Sequence, residues 1–363
     1  MIATKIWQRY FLSEILKTFF LFLFSFFFLY VLADYSMHMQ EILKNKKMGP
    51  FDLVFYYSMV FSKRCDLLLP LSLLIASVKV LTSLNKRNEL LAMQTAGIPL
   101  HKLTRPFFLV GLICVAFSYF NFEVFAPKSL NYVDRFEQKY LKKKSPKKEK
   151  GGVHVLPLAD GSRFLYQSFN TETNEFSDLF YLLSFDEMYH IKTLKIEEGG
   201  LSGTYVDHLK RSRSGEIEKI ASYDTYLFQS IPLDFELQEQ LKSPIENRAI
   251  SELGKMIFSP TPLFMENLSA LHTHLYFKLL MPWLPVIVLI GVVPFCTPSV
   301  RFLPTFYIFS VTIFGYITFF ALMDGCVILG ETNVLSPFWA IFTLPILFFA
   351  IFGTRFAMVC IRK

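Results

Sequence analysis

The sequence predicts an α-helical membrane protein with six transmembrane helices, arranged as three plus three around an inserted all-β domain. The chain is 53% hydrophobic and 17% aromatic, with 41 phenylalanines among 363 residues, which is too apolar for an ordinary soluble domain. Six apolar runs are long enough to cross a bilayer. A long polar segment separates the third run from the fourth and has the composition and turn spacing of β-strands.

Each apolar run approaches the roughly 20 residues that a helix needs to span the hydrocarbon core. The runs are 12–34, 61–83, 106–126, 275–296, 302–326 and 335–359. The first resembles a signal peptide because Lys5 and Arg9 precede it, but it ends at Asp34 and not at a small-residue cleavage site. We therefore expect it to remain as a membrane span.

Lysine and arginine in the short connections indicate the orientation. They cluster at alternate ends of the runs, at Lys5, Arg9, Lys86, Arg87, Lys102, Arg105, Arg301, Arg355, Arg362 and Lys363. We expect this side, with both termini, to be cytoplasmic and the polar segment to lie outside. Lys44, Lys46, Lys47 and the run KKKSPKKEK at 142–150 oppose the rule. The run at 142–150 is the weaker objection, because long domains cross the membrane largely regardless of their charge.

The polar segment contains short β-branched and aromatic runs between turn residues, at spacings that favour an antiparallel sandwich or barrel. The runs are RFLYQSF, DLFYLLSF, YHIKTLKI, EIEKIASY and TYLFQSI. We predict three regions: residues 1–126 with the first three spans, 127–268 with the β-domain, and 269–363 with the last three spans.

Catalytic and cofactor motifs do not occur in the chain. The sequence has no GxxxxGK[ST], HExxH, GxSxG or CxxC, which argues against a self-sufficient ATPase, zinc protease or serine hydrolase. The five cysteines lie in or beside apolar runs, where we expect packing and no metal site. The net charge of +7 forms no basic stripe with interleaved aromatics, so we expect no nucleic-acid partner.

A charged stretch, LTSLNKRNELLAMQTAGIPLHKLTRP at 81–106, lies between the second and third runs. Asn88 can cap a helix that begins at Glu89, and Gly97 followed by Pro99 can end it. A helix of two turns is marginal in water, so it must dock on something. Its apolar residues allow two surfaces, the membrane or the groove of a soluble partner.

The run LLPLSLLIASVKVLTSLNKRNELLAMQTAGI resembles the LptF/LptG family of lipopolysaccharide-export permeases. In that family an LPL…L…L…E…M…AG pattern joins the second span to a cytoplasmic coupling helix, here near 85–97. RYFLSEILKTFF is similar to the family's first helix, ISELGKMI to its segment before the fourth span, and HTHLYFKLLMPWLPVIVLIGVVPF to that span. The family layout of three spans, a periplasmic β-jellyroll and three more spans agrees along the whole chain.

The resemblance implies a permease subunit of an ABC-type transporter in the bacterial inner membrane. Such a subunit extracts lipopolysaccharide from the periplasmic leaflet and passes it to a periplasmic bridge of LptC or LptA type. Its expected partners are a second permease and a cytoplasmic ATPase dimer of LptB type. ATP and magnesium would bind to that ATPase, so this chain would be non-catalytic and hold no cofactor.

The resemblance also implies site residues for the ATPase contact. Glu89 matches the acidic position of the family's coupling helix and would meet a basic residue of the ATPase. The rest of the expected coupling site is Arg87, Leu90, Met93 and Gly97. The simpler alternative is that Glu89 only complements the helix dipole, an effect of about 0.3–1 kcal/mol.

Other residues are candidates for lipid contact. By the resemblance, spans 12–34 and 302–326 form a lateral gate with the partner permease, although their phenylalanines equally suit contact with plain lipid. The β-domain would grip acyl chains on one inner face, through alternating strand residues such as Phe164, Tyr166, Phe180 and Leu182; the alternative is an ordinary sandwich core. Candidate contacts to lipid phosphates are Lys63, Arg64, Lys44 and Lys46, although Lys63 and Arg64 could equally snorkel to headgroups. Asp324 is a candidate intramembrane polar site, because a charge there needs a partner or a cavity.

Two other function classes remain open. A membrane-anchored scaffold or envelope-assembly factor would use the β-domain to bind protein and the spans only as anchors. A membrane enzyme using Asp66, Asp324 or His274 has less support, because no pair of titratable groups has a catalytic spacing. Glu89→Lys separates the first two classes, since it should abolish export by a transporter and leave a scaffold unaffected.

Overall fold

The computed structural model describes residues 5–44, 49–140, 154–158, 162–170, 173–184, 186–197, 200–211, 217–228, 245–258, 268–297 and 304–361. The chain divides into two compact units. The helical unit comprises 1–142, 249–255 and 269–363, and the β-unit comprises 143–248 and 256–268. The helical unit thus continues past residue 126, because a helix runs on from Ala126 to Tyr140.

Six helices in the described ranges are long and apolar enough to cross a membrane. They cover Ile6–Met39, Phe51–Lys86, Arg105–Leu130, Leu268–Cys296, Thr305–Glu331 and Pro337–Val359. The six predicted spans are confirmed, as is a β-domain inserted between the third and the fourth.

The helices follow the chain in this order: α1 (Ile6–Lys44), α2 (Pro50–Lys86), α3 (Glu89–Thr95), α4 (Leu100–Leu103), α5 (Arg105–Phe120), α6 (Ala126–Tyr140), α7 (Ile250–Phe258), α8 (Leu268–Leu280), α9 (Leu284–Cys296), α10 (Thr305–Glu331), α11 (Pro337–Phe348) and α12 (Thr354–Ile361). π-helical turns at Asn121–Phe125 and Phe349–Gly353 join α5 to α6 and α11 to α12. A 3₁₀ turn at Met281–Trp283 joins α8 to α9, and another lies at Ile245–Asn247.

The first two helices extend well beyond the apolar runs that predicted them. α1 has 39 residues and α2 has 37, so each is about 55–60 Å long, nearly twice the hydrocarbon core. Aromatic contacts stabilise the extended part of α2 against α6. Tyr56 stacks on Phe136 with ring centroids 4.4 Å apart, and its hydroxyl donates a 3.4 Å hydrogen bond to Glu137.

The core of the helical unit is formed mainly by α2, α5 and α8–α9, whereas α1, α10 and α11–α12 expose most of their apolar surface. Phe11 of α1 is fully buried and packs against Phe107 of α5. Gly111 of α5 allows α9 to approach closely, because a Cβ at this position would lie 2.9 Å from Leu289 Cδ1. These three outer spans therefore present apolar faces that the described part of the chain does not cover.

The β-unit contains one six-stranded antiparallel sheet. Its strands are β1 (His154–Pro157), β2 (Arg163–Asn170), β3 (Glu175–Leu182), β4 (Glu187–Glu197), β5 (Gly200–Arg211) and β6 (Ile217–Phe228), in the order β1-β2-β3-β4-β5-β6. Each strand pairs with its neighbour in sequence, so the described strands form a meander without the Greek-key crossings of a jellyroll. β1 and β5 were not predicted, and β6 was predicted as two separate strands.

One face of the sheet is buried, and the alternation along it shifts at two residues with positive φ. Asp178 in β3 has φ 54° and Tyr205 in β5 has φ 50°. In β3 the buried residues Phe176 and Leu179 are consequently three positions apart. Phe180 therefore lies on the opposite face, where it stacks on the imidazole ring of His190 in β4. Leu182 lies on the same face as Phe180, so the expectation that these two residues share an inner face with the buried Phe164 is wrong.

Candidate functional site

α3 begins with a tight turn after α2. Asn88 adopts a left-handed conformation with φ 59° and makes no capping hydrogen bond through its side chain. Asparagine tolerates this conformation better than most residues. Its carbonyl oxygen accepts a 2.9 Å hydrogen bond from the N–H of Ala92. The prediction that the Asn88 side chain caps the helix is wrong, whereas the predicted helix itself is present.

Gly97 ends α3 as the sequence predicts. Its φ of +84° lies in the left-handed region, and no atom lies within 4 Å of where a Cβ would be. The N–H of Ile98 donates a 3.1 Å hydrogen bond to the carbonyl oxygen of Met93, the bond that defines a Schellman motif. Glycine is therefore required here for its backbone conformation and not for space.

The two faces of α3 differ in burial. Leu90 is 3% exposed and belongs to the core of the helical unit, and Met93 packs partly against that core. Leu91 is 41% exposed, and Ala92 and Thr95 lie on the surface beside it. Leu90 and Met93 thus anchor α3 to its own chain, and any direct contact with a partner would use Leu91 and Ala92.

Glu89 lies at the edge of the exposed face, among polar groups of its own chain. Its carboxylate is 3.8 Å from Nη1 of Arg87, and the side chains are 28% and 64% exposed, respectively. The hydroxyl of Tyr10, in α1, also interacts with this carboxylate. Sequence reasoning missed Tyr10, because nothing in the local pattern shows that the start of α1 lies beside α3.

Lys63 and Arg64 lie on α2, about 33 Å along the helix from its end at Lys86. This distance is close to the thickness of a hydrocarbon core. The guanidinium of Arg64 lies 5.6 Å from the ring centroid of Tyr30 in α1, and Lys63 is half-buried. Of the other two candidates, the side chain of Lys44 and the whole of Lys46 lie outside the described residues.

Asp324 lies on the exposed surface of α10. Its carboxylate is within electrostatic range of Asp66 in α2. The Tyr316 hydroxyl donates a 2.9 Å hydrogen bond to the carbonyl oxygen of Leu67, which links the same two helices. The prediction that Asp324 requires a partner therefore stays a prediction.

His274 and Glu331 form a buried polar contact between α8 and α10. The imidazole Nε2 lies 2.8 Å from a carboxylate oxygen, and His274 is 8% exposed. The contact gives the histidine a hydrogen-bond partner, which explains why it is tolerated in an apolar helix.

The segment that carries α7 is bound to the π-helical turn after α5. The hydroxyl and the backbone N–H of Ser251 both donate hydrogen bonds to the Glu123 carboxylate, the second at 3.2 Å. In the same turn the Asn121 side chain donates a 3.0 Å hydrogen bond to the carbonyl oxygen of Ser62, and the Ser62 hydroxyl donates to the amide oxygen at 2.6 Å. The turn therefore connects α2, α5 and α7.

The family model described as lipopolysaccharide export system permease LptF/LptG matches residues 9–358. The chain belongs to the LptF/LptG family. The resemblance seen in the sequence is thereby confirmed, and the match covers all six membrane-spanning helices of this LptF/LptG protein. A comparison with curated proteins found no match.

Family membership identifies this LptF/LptG protein as a lipopolysaccharide export permease. A permease with six membrane-spanning helices is a multi-pass inner-membrane protein of the cell envelope, and the family is generally non-catalytic. Membership also implies a transport system with further components.

Proposed function

We propose that this chain is one of two permease subunits of an ABC-type transporter, which extracts lipopolysaccharide from the periplasmic leaflet and passes it to a periplasmic bridge. The observation that carries this proposal is the geometry of α3. This helix is held to its own chain by Leu90 and closed by Gly97, and it keeps Leu91 exposed. A seven-residue helix held in this way is suited to receive a partner.

The partner in this proposal is one subunit of a cytoplasmic ATPase dimer of LptB type. ATP and magnesium bind to that dimer, and the permease holds no cofactor. Leu90 shares one packed core with Leu84 of α2 and Leu103 of α4. Because packed cores transmit displacement with little compression, a movement of the ATPase against α3 would displace α2 and α4 together.

The orientation follows from charge. Lys86, Arg87, Lys102 and Arg105 flank α3 and are all exposed. Exposed basic residues beside short connections favour the cytoplasmic side. We therefore place α3 and both termini in the cytoplasm, and the β-unit in the periplasm.

Lipid entry is assigned to the exposed faces of α1 and α10. Phe20 and Leu21 of α1 are 47% and 58% exposed, and Phe314 of α10 is 71% exposed. These faces are available to pair with the corresponding helices of a second permease and form a lateral gate. Lys63 and Arg64, about one bilayer thickness from α3, are then positioned for lipid phosphates at the periplasmic surface.

The β-unit is assigned to lipid transfer towards a bridge protein of LptC or LptA type. Ile217, Ile220 and Leu227 of β6 are 57%, 57% and 63% exposed. Exposed apolar residues on the last described strand support a contact with another β-protein, because unpaired strand edges and apolar patches are common docking surfaces.

Reconstitution tests this proposal against the scaffold alternative. The chain, a sister permease and the ATPase would be placed in liposomes with lipopolysaccharide, and a soluble bridge protein would be added outside. ATP-dependent transfer of lipopolysaccharide to the bridge protein is the expected result. A scaffold would give no transfer above a control with a hydrolysis-deficient ATPase, even when all the proteins assemble.

A further inference from the structure

An apolar cleft lies between the middle of α1 and the first turns of α2. Its volume is about 650 Å³, within the range of sites that hold small organic ligands. Its apolar walls are formed by Phe24, Phe27, Phe28, Val31, Leu53 and Val54. Tyr57 and Ser58 also border the cleft, and the Ser58 hydroxyl donates a 2.9 Å hydrogen bond to the carbonyl oxygen of Val54. Such a lining fits an acyl chain.

Two buried polar groups adjoin the cleft without hydrogen-bond partners. Asp34 is 9% exposed and Tyr57 is 8% exposed, and neither the Asp34 Oδ2 nor the Tyr57 hydroxyl has a partner at normal hydrogen-bond distance among the described residues. The Tyr57 hydroxyl interacts with the Asp34 carboxylate at longer range, which satisfies the carboxylate only in part. Asp34 also lies one helical turn beyond Val31, on the same face of α1. Since buried carboxylates are normally paired, the site favours a ligand that donates hydrogen bonds and carries positive charge.

A cation flanks the same region. The guanidinium of Arg64 lies over the ring of Tyr30, which precedes Val31 of the cleft and lies one turn before Asp34. The Tyr30 hydroxyl is within electrostatic range of Tyr57. One apolar cleft is therefore bordered by a carboxylate that requires a donor and by a guanidinium suited to phosphate.

We propose that this cleft holds a resident phospholipid of the phosphatidylethanolamine class. Its primary ammonium donates to Asp34 and Tyr57, its phosphate contacts Arg64, and one acyl chain fills the cleft. Phosphatidylglycerol has no cation for the carboxylate, and phosphatidylcholine has a quaternary ammonium without N–H donors. This lipid is distinct from the exported cargo, so of the two basic residues proposed above for lipid phosphates Arg64 contacts the resident lipid and Lys63 is left for the cargo. The inference does not depend on the coupling role of α3.

Lipid retention tests the proposal. The full-length permease, in complex with its partners, would be reconstituted with equal amounts of phosphatidylethanolamine, phosphatidylcholine and phosphatidylglycerol, together with lipopolysaccharide. After mild delipidation, mass spectrometry of the intact complex identifies the lipid that remains. We expect phosphatidylethanolamine to be retained over phosphatidylcholine by on the order of ten-fold, the size expected for one hydrogen bond to a charged group.

Three variants make the test specific. Asp34→Asn should remove the preference for phosphatidylethanolamine, and Arg64→Gln should lower its retention without requiring any change in the core. Asp52→Asn is the matched control, because Asp52 lies at the same end of α2, is exposed and only accepts a hydrogen bond from the N–H of Gly49. Its lipid preference should equal that of the wild type.

The proposal is overturned if the three phospholipids are retained equally or if lipopolysaccharide is the retained species. It is also overturned if the preference persists unchanged in Asp34→Asn. Should Asp34→Asn fail to fold, Arg64→Gln decides alone, and unaltered retention in that variant contradicts the proposal.

Discussion

Arg87 and Glu89 face each other at the start of α3, with the guanidinium Nη1 3.8 Å from the carboxylate Oε1. Both side chains are accessible to solvent, and such exposed pairs stabilise a protein by no more than about 1 kcal/mol. Glu89 can therefore exchange Arg87 for a basic residue of a partner at little cost. This property suits a contact that must form and transmit movement during transport.

Charge reversal at Glu89 should uncouple the transporter. In Glu89→Lys the new ammonium would repel both Arg87 and the basic residue proposed on the ATPase. We expect ATPase activity stimulated by the permease and lipopolysaccharide export to fall to background, while the permease itself stays folded. The measurement is the ATP hydrolysis rate of the purified complex, with capture through the permease to determine whether the ATPase remains bound.

Glu14→Lys is the control for this experiment. Glu14 lies on α1, near Tyr10. Its replacement by lysine makes the same change of charge on the same side of the helical unit. Its hydrolysis rate should match the wild type. Equal rates for Glu89→Lys and wild type would instead support the reading in which Glu89 only complements the helix dipole.

Replacing Gly97 should loosen the end of α3. Alanine at a φ of +84° is strained by roughly 1–2 kcal/mol, although there is open space for its Cβ. We expect amide exchange at Gln94–Ile98 to become about 5–30 times faster in Gly97→Ala. Gly254→Ala is the matched control, because Gly254 also has open space but lies inside α7. Exchange in the control should be slower than in the wild type or unchanged. If exchange in Gly97→Ala were also no faster than in the wild type, the assignment of a strained helix end would be contradicted.

Enlarging Gly111 should disrupt the contact between α5 and α9. A Cβ there would meet Leu289 at 2.9 Å, and overpacking of this kind costs about 1–3 kcal/mol. Gly111→Val should therefore lower the thermal unfolding temperature in detergent. Gly315→Val should leave that temperature nearly unchanged, because no atom lies within 4 Å of a Cβ at Gly315. An equal decrease in both variants would show that the close approach is not the cause.

The last two strands of the sheet should respond to acid through Asp207. Its carboxylate accepts hydrogen bonds from Lys219 and Ser222, both at 2.6 Å, and these hold the pKa of Asp207 below its ordinary value of 3.8. Because the folded pKa is the lower one, the interaction stabilises the fold fully above the unfolded value, and this contribution is lost as pH falls through the folded value.

Amide exchange in β5 and β6 provides the measurement, after correction for the intrinsic pH dependence of exchange. Protection should fall as the solution is acidified below about pH 4 in the wild type. Asp207→Asn should show a flatter profile and lower protection near neutrality. Parallel profiles for the two proteins would exclude Asp207 as the source of the acid response.

Hydropathy predicted the six spans, because each apolar run must be helical to cross a membrane. It could not predict how far α1 and α2 continue, since their extensions carry polar residues and tyrosines and are stabilised by contacts with α6 such as Tyr56 on Phe136. The sequence also could not predict which face of the sheet Phe180 occupies, because the left-handed conformation of Asp178 shifts the alternation on which a strand prediction depends.

The candidate coupling site was likewise predictable from the sequence only in part. Glu89 and Gly97 gave correct ends for α3, because helix termini have local chemical signals. A helix of seven residues is too short for its periodicity to show which face is buried, so Leu90 was predicted as a partner contact and lies in the core. The adjacency of Asp34 and Tyr57 depends on the packing of two long helices and has no local signal.

The most direct test of the coupling proposal is photo-cross-linking from α3. A photoreactive amino acid would replace Leu91 on the exposed face, and a second variant would carry it at Met37, which is 74% exposed near the far end of α1. In the assembled complex we expect Leu91 to cross-link to a cytoplasmic P-loop ATPase and Met37 not to do so. A complex that retains the ATPase but gives no cross-link from Leu91 would contradict the account.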